Sequence, residues 1–244
     1  LMGAGSKVTL DLGGPVKIEV EEALLDTYIE QGGAIRADGG LVYLTAKSAG
    51  ELASSVINHT GVTEARTLAT GEDGRIMLMG DMKSGQVQVA GTLDASAPNG
   101  GNGGFIETSA ANVSILDEVT VTTKADNGET GEWLIDPNDY TIAASDGDIT
   151  GNALGGLLAD NNITIQSVTG TSDAENLYAT ESGNGDIFVN DKVAWTSGNT
   201  LTLNAIRNIE INSTIDASGG AGGKLALEYG QGAANAGNTA SYSI

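Results

Sequence analysis

The sequence contains no cysteine, only 3 prolines and few aromatic residues. Without cysteine, the chain cannot form a disulfide bond, a thiolate metal site or a cysteine nucleophile. Aromatic residues make up 4% of the chain, so an apolar core has to be built from Val, Ile, Leu and Ala, which suit thin, regular layers. No apolar run reaches the length of a membrane span, so no membrane-spanning helix is expected.

Basic residues are also scarce. Lys and Arg number 11 against 32 Asp and Glu, which gives a formal net charge of -21. This charge repels nucleic acid and anionic membrane surfaces, so we expect neither as a partner. A solvated acidic surface accounts for the charge more simply than a specific metal site does. We therefore predict no metal ion and no cofactor.

Glycine, in contrast, is abundant at 36 residues and recurs in similar turns. Residues 91–104 read GTLDASAPNGGNGG and residues 213–223 read STIDASGGAGG, and an apolar stretch follows each one. The shared element, an alanine, a turn, glycine and a strand, is anchored at Ala37, Ala65, Ala95, Ala125 and Ala217. The first four alanines lie 28, 30 and 30 residues apart, and Ala217 follows 92 residues later. A period of this size is typical of repeat proteins, in which each unit covers the apolar face of the next.

Alternating apolar, polar, apolar triplets recur through the chain, among them Ile76-Met77-Leu78 and Ile209-Glu210-Ile211. Each triplet sends two side chains to one face of a strand and one to the other face. Two-residue Asn-Gly hairpin turns are scarce, which favours parallel strands. We predict an all-β parallel β-helix, or solenoid, with short helix-like or loop insertions near the N-terminal end, at residues 21–29 and 49–57.

The glycine-rich turns have a second interpretation, because such loops also bind phosphate. GGAGGKL lacks the phosphate-loop pattern, since Ser218 stands where a glycine is required and Leu225 where Ser or Thr is required. GGNGGF does not open a helix in an alternating strand and helix pattern, so it does not match a dinucleotide fingerprint. A structural turn is the simpler interpretation of both.

Two stretches are more distinctive than the triplets. The first is GGFIETSAANVSIL at 103–116, followed by EWLIDPNDYTI at 132–142, and the second is GDIFVNDKVAWTSGNTLTLNAIRNIEINSTIDASGG at 185–220. Both resemble the large adhesins of the filamentous-haemagglutinin type, which are exported by two-partner secretion. The second is especially similar to the high-molecular-weight adhesin branch. The resemblance covers the chain from about Gly33 to Gly223.

This resemblance implies a right-handed parallel β-helix, an outer-membrane β-barrel as secretion partner, and a place on the bacterial cell surface or in the extracellular matrix. It implies a structural and adhesive role in biofilms, attaching cells to one another or to polysaccharide or surface glycans. The family's secretion domain carries an Asn-Pro-Asn signature, to which only Asp136-Pro137-Asn138 is similar. We therefore expect residues 1–244 to be one continuous segment of a longer exoprotein, with 1–80 at the end of the secretion domain or its junction to the rod.

An enzyme is the alternative, because parallel β-helices also carry polysaccharide lyases and hydrolases. A hydrolase needs two facing carboxylates, but Asp94 and Asp216 occupy equivalent turns, which favours a capping role. The only histidine, His59, aligns with Gln31 in the repeat and is expected in a solvated or turn position. We predict that the chain has no catalytic residues.

Carbohydrate binding calls for an exposed aromatic ring among polar groups. Trp195 is the candidate carbohydrate-binding residue, because polar turn residues surround it in NDKVAWTSGN. Burial in the scaffold is the competing interpretation of Trp195. Trp133 alternates with Ile135 and is expected in the core.

Overall fold

The computed structural model describes residues 2–4, 7–11, 17–21, 27–46, 55–68, 73–167, 183–231 and 241–243. In these ranges the protein is all-β, with parallel sheets, one antiparallel strand pair and one short helix. The largest sheet, sheet I, has eight parallel strands in the spatial order β1 (Met2–Ala4), β6 (Leu41–Ala46), β9 (Arg75–Met79), β12 (Phe105–Ser109), β15 (Glu132–Asp136), β17 (Asn162–Ser167), β20 (Thr200–Ala205) and β23 (Lys224–Glu228).

Three further sheets have four parallel strands each. Sheet II contains β4 (Thr27–Gln31), β7 (Ser55–His59), β10 (Gln86–Val89) and β13 (Asn112–Ile115). Sheet III contains β5 (Ala34–Arg36), β8 (Val62–Glu64), β11 (Thr92–Asp94) and β14 (Thr120–Thr122). Sheet IV contains β16 (Tyr140–Ile142), β18 (Ile187–Val189), β21 (Ile209–Ile211) and β24 (Tyr242–Ser243).

Two strand pairs and the helix complete the described structure. β19 (Val193–Ala194) and β22 (Ile215–Asp216) pair in parallel, whereas β2 (Lys7–Asp11) and β3 (Lys17–Glu21) pair antiparallel. Helix α1 (Gly151–Leu157) contacts β14 and β19. No helix in these ranges is long and apolar enough to span a membrane.

From β4 to β15 the chain visits the sheets in a constant order. β4, β5 and β6 lie in sheets II, III and I, and β7, β8 and β9 return to the same three sheets in the same order. After β16 in sheet IV, helix α1 stands where a strand of sheet III would follow, and β17 then returns to sheet I. From β4 onward, each described strand therefore pairs in parallel with a strand of the pass before it, of the pass after it, or of both.

The core follows from the alternation of side chains along the strands. In sheet I, inward positions stack in register across neighbouring strands, and at most 1% of each of these side chains is exposed: Ile76, Ile106, Trp133, Ile163 and Leu201 form one row, and Leu78, Thr108, Ile135, Ile165 and Leu203 form the next. The residues between them point outward and are partly exposed. The predicted inward and outward assignment of these triplets is confirmed.

The predicted helix-like insertions are wrong where the structure describes them. Residues 27–29 belong to β4 and residues 55–57 to β7, while 22–26 and 49–54 lie outside the described residues. Burial alternates along β7 as it does in a strand, and β4 pairs with β7 in parallel and in register. The described helix, α1, lies instead in the middle of the chain.

The repeat alignment is correct for three alanines and wrong for the fourth. Arg36, Glu64 and Asp94 are register partners, so the alanines that follow them stack. Asp94 then pairs with Thr122, so the next residue in that column is Thr123. Ala125 instead bridges Ala97, because the last step of the repeat is two residues shorter than the alignment assumed.

Candidate functional site

An open groove of about 770 Å³ lies along the edge of sheet I at which the strands begin. Its lining includes the first residues of six neighbouring strands, which share one register column: Arg75, Phe105, Glu132, Asn162, Thr200 and Lys224. Parallel pairing places the same position of each successive strand side by side. The groove therefore crosses the strands and draws on residues that lie far apart in the sequence.

Glycines immediately before two of these strands allow neighbouring passes to stack closely at the groove. Gly104 precedes β12 and Gly131 precedes β15, and both line the groove. A Cβ on Gly104 would collide with the carbonyl oxygen of Gly74, and a Cβ on Gly131 with that of Gly104. The repeated glycines thus allow close backbone stacking, which agrees with the structural interpretation of the turns.

Charges of both signs line the groove. Arg75 and Lys224 stand near its two ends, and Asp73, Glu129 and Glu132 supply carboxylates. The hydroxyl of Thr164 donates to Glu132 Oε1 at 2.8 Å and orients that carboxylate. The local charge is close to balanced, although the chain as a whole is strongly acidic.

The side chains of Asn162 and Asn199 in the groove form hydrogen bonds with the backbone. Asn162 Nδ2 donates to the carbonyl oxygens of Thr130 and Gly131 at 2.9 and 3.1 Å, and its Oδ1 accepts the N–H of Thr200 at 3.0 Å. Asn199 Nδ2 donates to the carbonyl oxygens of Leu158 and Ala159 at 2.8 and 3.1 Å. These bonds hold the rim in place, and the charged side chains and the half-buried Phe105 line the groove beside them.

Trp195, the candidate carbohydrate-binding residue, lies in the core with 3% of its surface exposed. Its indole N–H donates to the carbonyl oxygen of Asn199 at 3.0 Å, and its ring packs against the backbone of Gly223. A buried ring has no free face for a sugar to stack on, so the structure favours the scaffold interpretation of Trp195. Trp133 is fully buried, as predicted, and donates to Thr108 Oγ1 at 3.2 Å.

His59 is in register with Gln31, as predicted, but the expected solvated position is wrong. The side chain is fully buried, and Nε2 lies 3.0 Å from Thr63 Oγ1. Burial lowers the pKa of His59 from 6.5 to about 4, because the charged imidazolium loses its hydration. The sequence-based prediction for His59 failed because burial of this side chain depends on which other strands cover the inner face of β7.

Asp94 and Asp216 cap turns, as predicted. Asp94 Oδ1 accepts the N–H of Ser96 at 2.9 Å, and Asp216 Oδ1 accepts the N–H of Ser218 at 3.0 Å. Asp94 also accepts from Arg66 at 2.7 Å. These contacts give both carboxylates structural roles, and neither lines the groove.

A carboxyl pair that sequence reasoning did not single out lies on the outer side of sheet I. Glu107 accepts the hydroxyl of Ser109 at 2.8 Å, and Ser109 is the register partner of Asp136 on the adjacent strand. Burial and the charge of Glu107 raise the pKa of Asp136 to about 7. Neither carboxyl lines the groove, so the pair does not act on a ligand bound there.

The distinctive IDPNDY stretch has a structural explanation. Asp139 Oδ1 accepts the N–H groups of Asn184, Gly185 and Asp186, each at 2.8 Å. Tyr140, the next residue, is fully buried. Asp139 thus fixes the turn that leads into β18, one pass further along the chain.

The chain matches no protein-family model, and neither a curated protein nor a solved structure matches it. The sequence signal for the groove therefore comes from the repeats of this chain and not from related proteins. It is the glycine that precedes a strand, which recurs at Gly74, Gly104, Gly131 and Gly223.

Proposed function

We propose that this chain is a structural and adhesive segment of a secreted bacterial surface or biofilm-matrix adhesin. Its sheets wind into a right-handed parallel β-helix that attaches cells to one another or to polysaccharide. The observation that carries the proposal is the constant order in which the chain visits sheets II, III and I from β4 to β15, together with the parallel pairing of successive passes through sheet I as far as β23. Such stacking makes a stiff scaffold that displays side chains at regular intervals.

The other parts of the proposal rest on the resemblance of 103–116, 132–142 and 185–220 to two-partner-secretion adhesins. The chain is exported through an outer-membrane β-barrel partner and acts outside the cell. Absence of cysteine fits a chain that has to stay free of crosslinks during export. The acidic surface keeps such a segment soluble and disfavours nucleic acid as a partner.

The segment is proposed to bind without catalysis. Asp94 and Asp216 cap turns, and the Glu107 and Asp136 carboxyls lie away from the groove. The carboxylates that do line the groove share it with the basic groups near its ends, and this mixture is suited to hydrogen bonding with a ligand.

Attachment is tested with beads that carry the purified chain, mixed with bacterial cells of a matrix-producing strain and with polysaccharide-coated surfaces. Beads that carry the wild-type chain are expected to aggregate with cells or to stay on the coated surface. Beads that carry an unfolded variant, such as Leu203→Asp, serve as the control. Failure of the wild-type beads in both formats contradicts adhesion.

A product assay separates adhesion from the enzymatic alternative. The chain is incubated with a panel of polysaccharides with and without divalent cations, and reducing ends and unsaturated products are measured. The proposal predicts no turnover under any of these conditions. Release of either product that depends on the folded chain overturns the non-catalytic assignment.

A further inference from the structure

We infer that the groove on sheet I binds an extended, uncharged polysaccharide, with the ring of Phe105 as its stacking surface. This inference rests on the proposed adhesive function and assigns to it a site and a ligand class. Trp195 cannot take that role because it is buried. Phe105 is half-buried at the start of β12 and lines the groove.

The dimensions of the groove fit a linear polymer. The column from Arg75 to Lys224 crosses six neighbouring strands of sheet I. Neighbouring strands lie ~4.8 Å apart, so five steps make a track about 24 Å long. A polymer of pyranose rings repeats at a similar spacing, so several sugar units meet equivalent positions on successive strands.

The charges of the groove point to an uncharged ligand. Three carboxylates, on Asp73, Glu129 and Glu132, line the groove together with the two basic groups of Arg75 and Lys224. A polyanion is repelled by the net charge of -21, whereas a polycation finds only one carboxylate, Glu132, among the six residues of the column. Sugar hydroxyls suit this mixture because each hydroxyl both donates to carboxylates and accepts from basic groups.

The groove is also arranged before the ligand arrives. Thr164 holds Glu132 in place, and Asn162 ties the start of β17 to the backbone before β15. Little side-chain freedom is lost at these positions when a ligand binds, which favours affinity. The apolar face of a sugar ring can then stack on Phe105 while its hydroxyls reach the carboxylate of Glu132, the register partner of Phe105.

The test is affinity electrophoresis of the whole chain in gels that contain dextran, galactomannan or xyloglucan, with alginate and hyaluronan as anionic polymers. Wild type is compared with Phe105→Ala, Glu132→Gln and a matched control, Phe188→Ala. Phe188 is likewise a half-buried phenylalanine between buried neighbours, but it lies in sheet IV away from the groove. Melting temperatures show which variants fold.

The wild-type chain and Phe188→Ala are expected to be retarded by at least one uncharged polymer. Phe105→Ala is expected to bind about tenfold more weakly, the size of one aromatic stacking contact. Glu132→Gln is expected to bind more weakly without any change in folding, and it decides the question if Phe105→Ala does not fold.

Three results overturn the inference: equal effects of Phe105→Ala and Phe188→Ala, retardation by the anionic polymers alone, or no retardation of the folded wild-type chain by any polymer. The bead assay separates these results from a failure of the proposed function. If beads with the folded Phe105→Ala chain attach to cells as well as wild type does, adhesion stands and the groove is not its site.

Discussion

His59 Nε2 lies 3.0 Å from the hydroxyl oxygen of Thr63, and both side chains are fully buried. The other ring nitrogen, Nδ1, has no hydrogen-bond partner among the described residues. The imidazole is therefore neutral in the folded protein at neutral pH, since its pKa is lowered to about 4. The chain thus carries a buried base that titrates differently in the folded and unfolded states.

We predict that His59 destabilises the fold as the pH falls from about 6.5 to about 4. In this window the unfolded chain binds a proton at His59 and the folded chain does not, so the free energy of unfolding decreases as the pH decreases. The full effect is at most about 3 kcal/mol, from the shift of the pKa between the two states. Denaturant unfolding of the wild type and His59→Gln measures it.

The difference in unfolding free energy between these two chains isolates His59 from the carboxyl groups. It should be constant above pH 7 and change in favour of His59→Gln as the pH falls through the window. A difference that is the same at pH 4.5 and pH 7.5 contradicts the buried neutral imidazole.

Asp136 should have the opposite pH dependence. Burial and the neighbouring Glu107 raise its pKa to about 7 from the usual 3.8, so the folded chain binds the extra proton between these values. The stabilising contribution is present at low pH and is lost as the pH rises through 7. Asp136→Asn should therefore be more stable than wild type at pH 8, by roughly 1 to 2 kcal/mol after allowance for solvent screening.

The two chains should have similar stability at pH 4, where Asp136 is protonated in the folded protein. Glu107→Gln provides a second measurement, because removal of the neighbouring charge should move the Asp136 transition to lower pH. Equal stability differences between wild type and Asp136→Asn at pH 4 and pH 8 would rule out the raised pKa.

Trp195 should contribute to stability. Trp195→Ala removes a ring that is only 3% exposed and deletes its hydrogen bond to the carbonyl oxygen of Asn199. The substitution should lower the free energy of unfolding by about 3 to 5 kcal/mol. Trp195→Phe retains most of the apolar contact and should cost less. Thermal unfolding of both variants measures the effect, and an unchanged melting temperature for Trp195→Ala is incompatible with a core position.

Two glycines should respond in opposite directions to the same substitution. A Cβ on Gly91 would collide with the backbone of Thr60 and Gly61, so Gly91→Ala should destabilise the fold by more than about 1 kcal/mol. Gly156 lies in α1 with nothing within 4 Å of its Cβ position, so Gly156→Ala should be neutral or stabilise by about 0.5 to 1 kcal/mol. If the denaturant midpoints of Gly91→Ala and Gly156→Ala fall by the same amount, the backbone of Gly91 does not stack as closely on Thr60 and Gly61 as described.

The inward row of sheet I should be far more sensitive than its outward neighbour. Leu203 is fully buried between Ile165 and Leu227 in the register, and Leu203→Ala should cost about 2 to 5 kcal/mol. Thr202 points outward, and Thr202→Ala should change stability by less than about 1 kcal/mol. Comparable losses in urea unfolding would contradict the assignment of the two faces.

The strands and their faces could be predicted from the sequence because they depend on local alternation. In Ile76-Met77-Leu78, the pleat alone sends the two apolar side chains to one face. The turn roles of Asp94 and Asp216 were also predictable, since each carboxylate bonds to a backbone N–H two residues away. A short apolar stretch such as 49–57 is compatible with either a helix or a strand. Pairing of β7 with β4 makes residues 55–57 a strand.

Contacts between passes decided the rest. Trp195 stands among polar residues in the sequence, but it is buried because the backbone of Gly223, 28 residues later, packs against its ring. The groove brings together first strand residues from Arg75 to Lys224, and its column exists only after parallel pairing sets the register. The sequence by itself determined which residues alternate and where the chain turns, because those are local properties of the backbone. The tertiary structure decided which rings are covered and which polar groups share a surface, because both depend on residues from neighbouring passes.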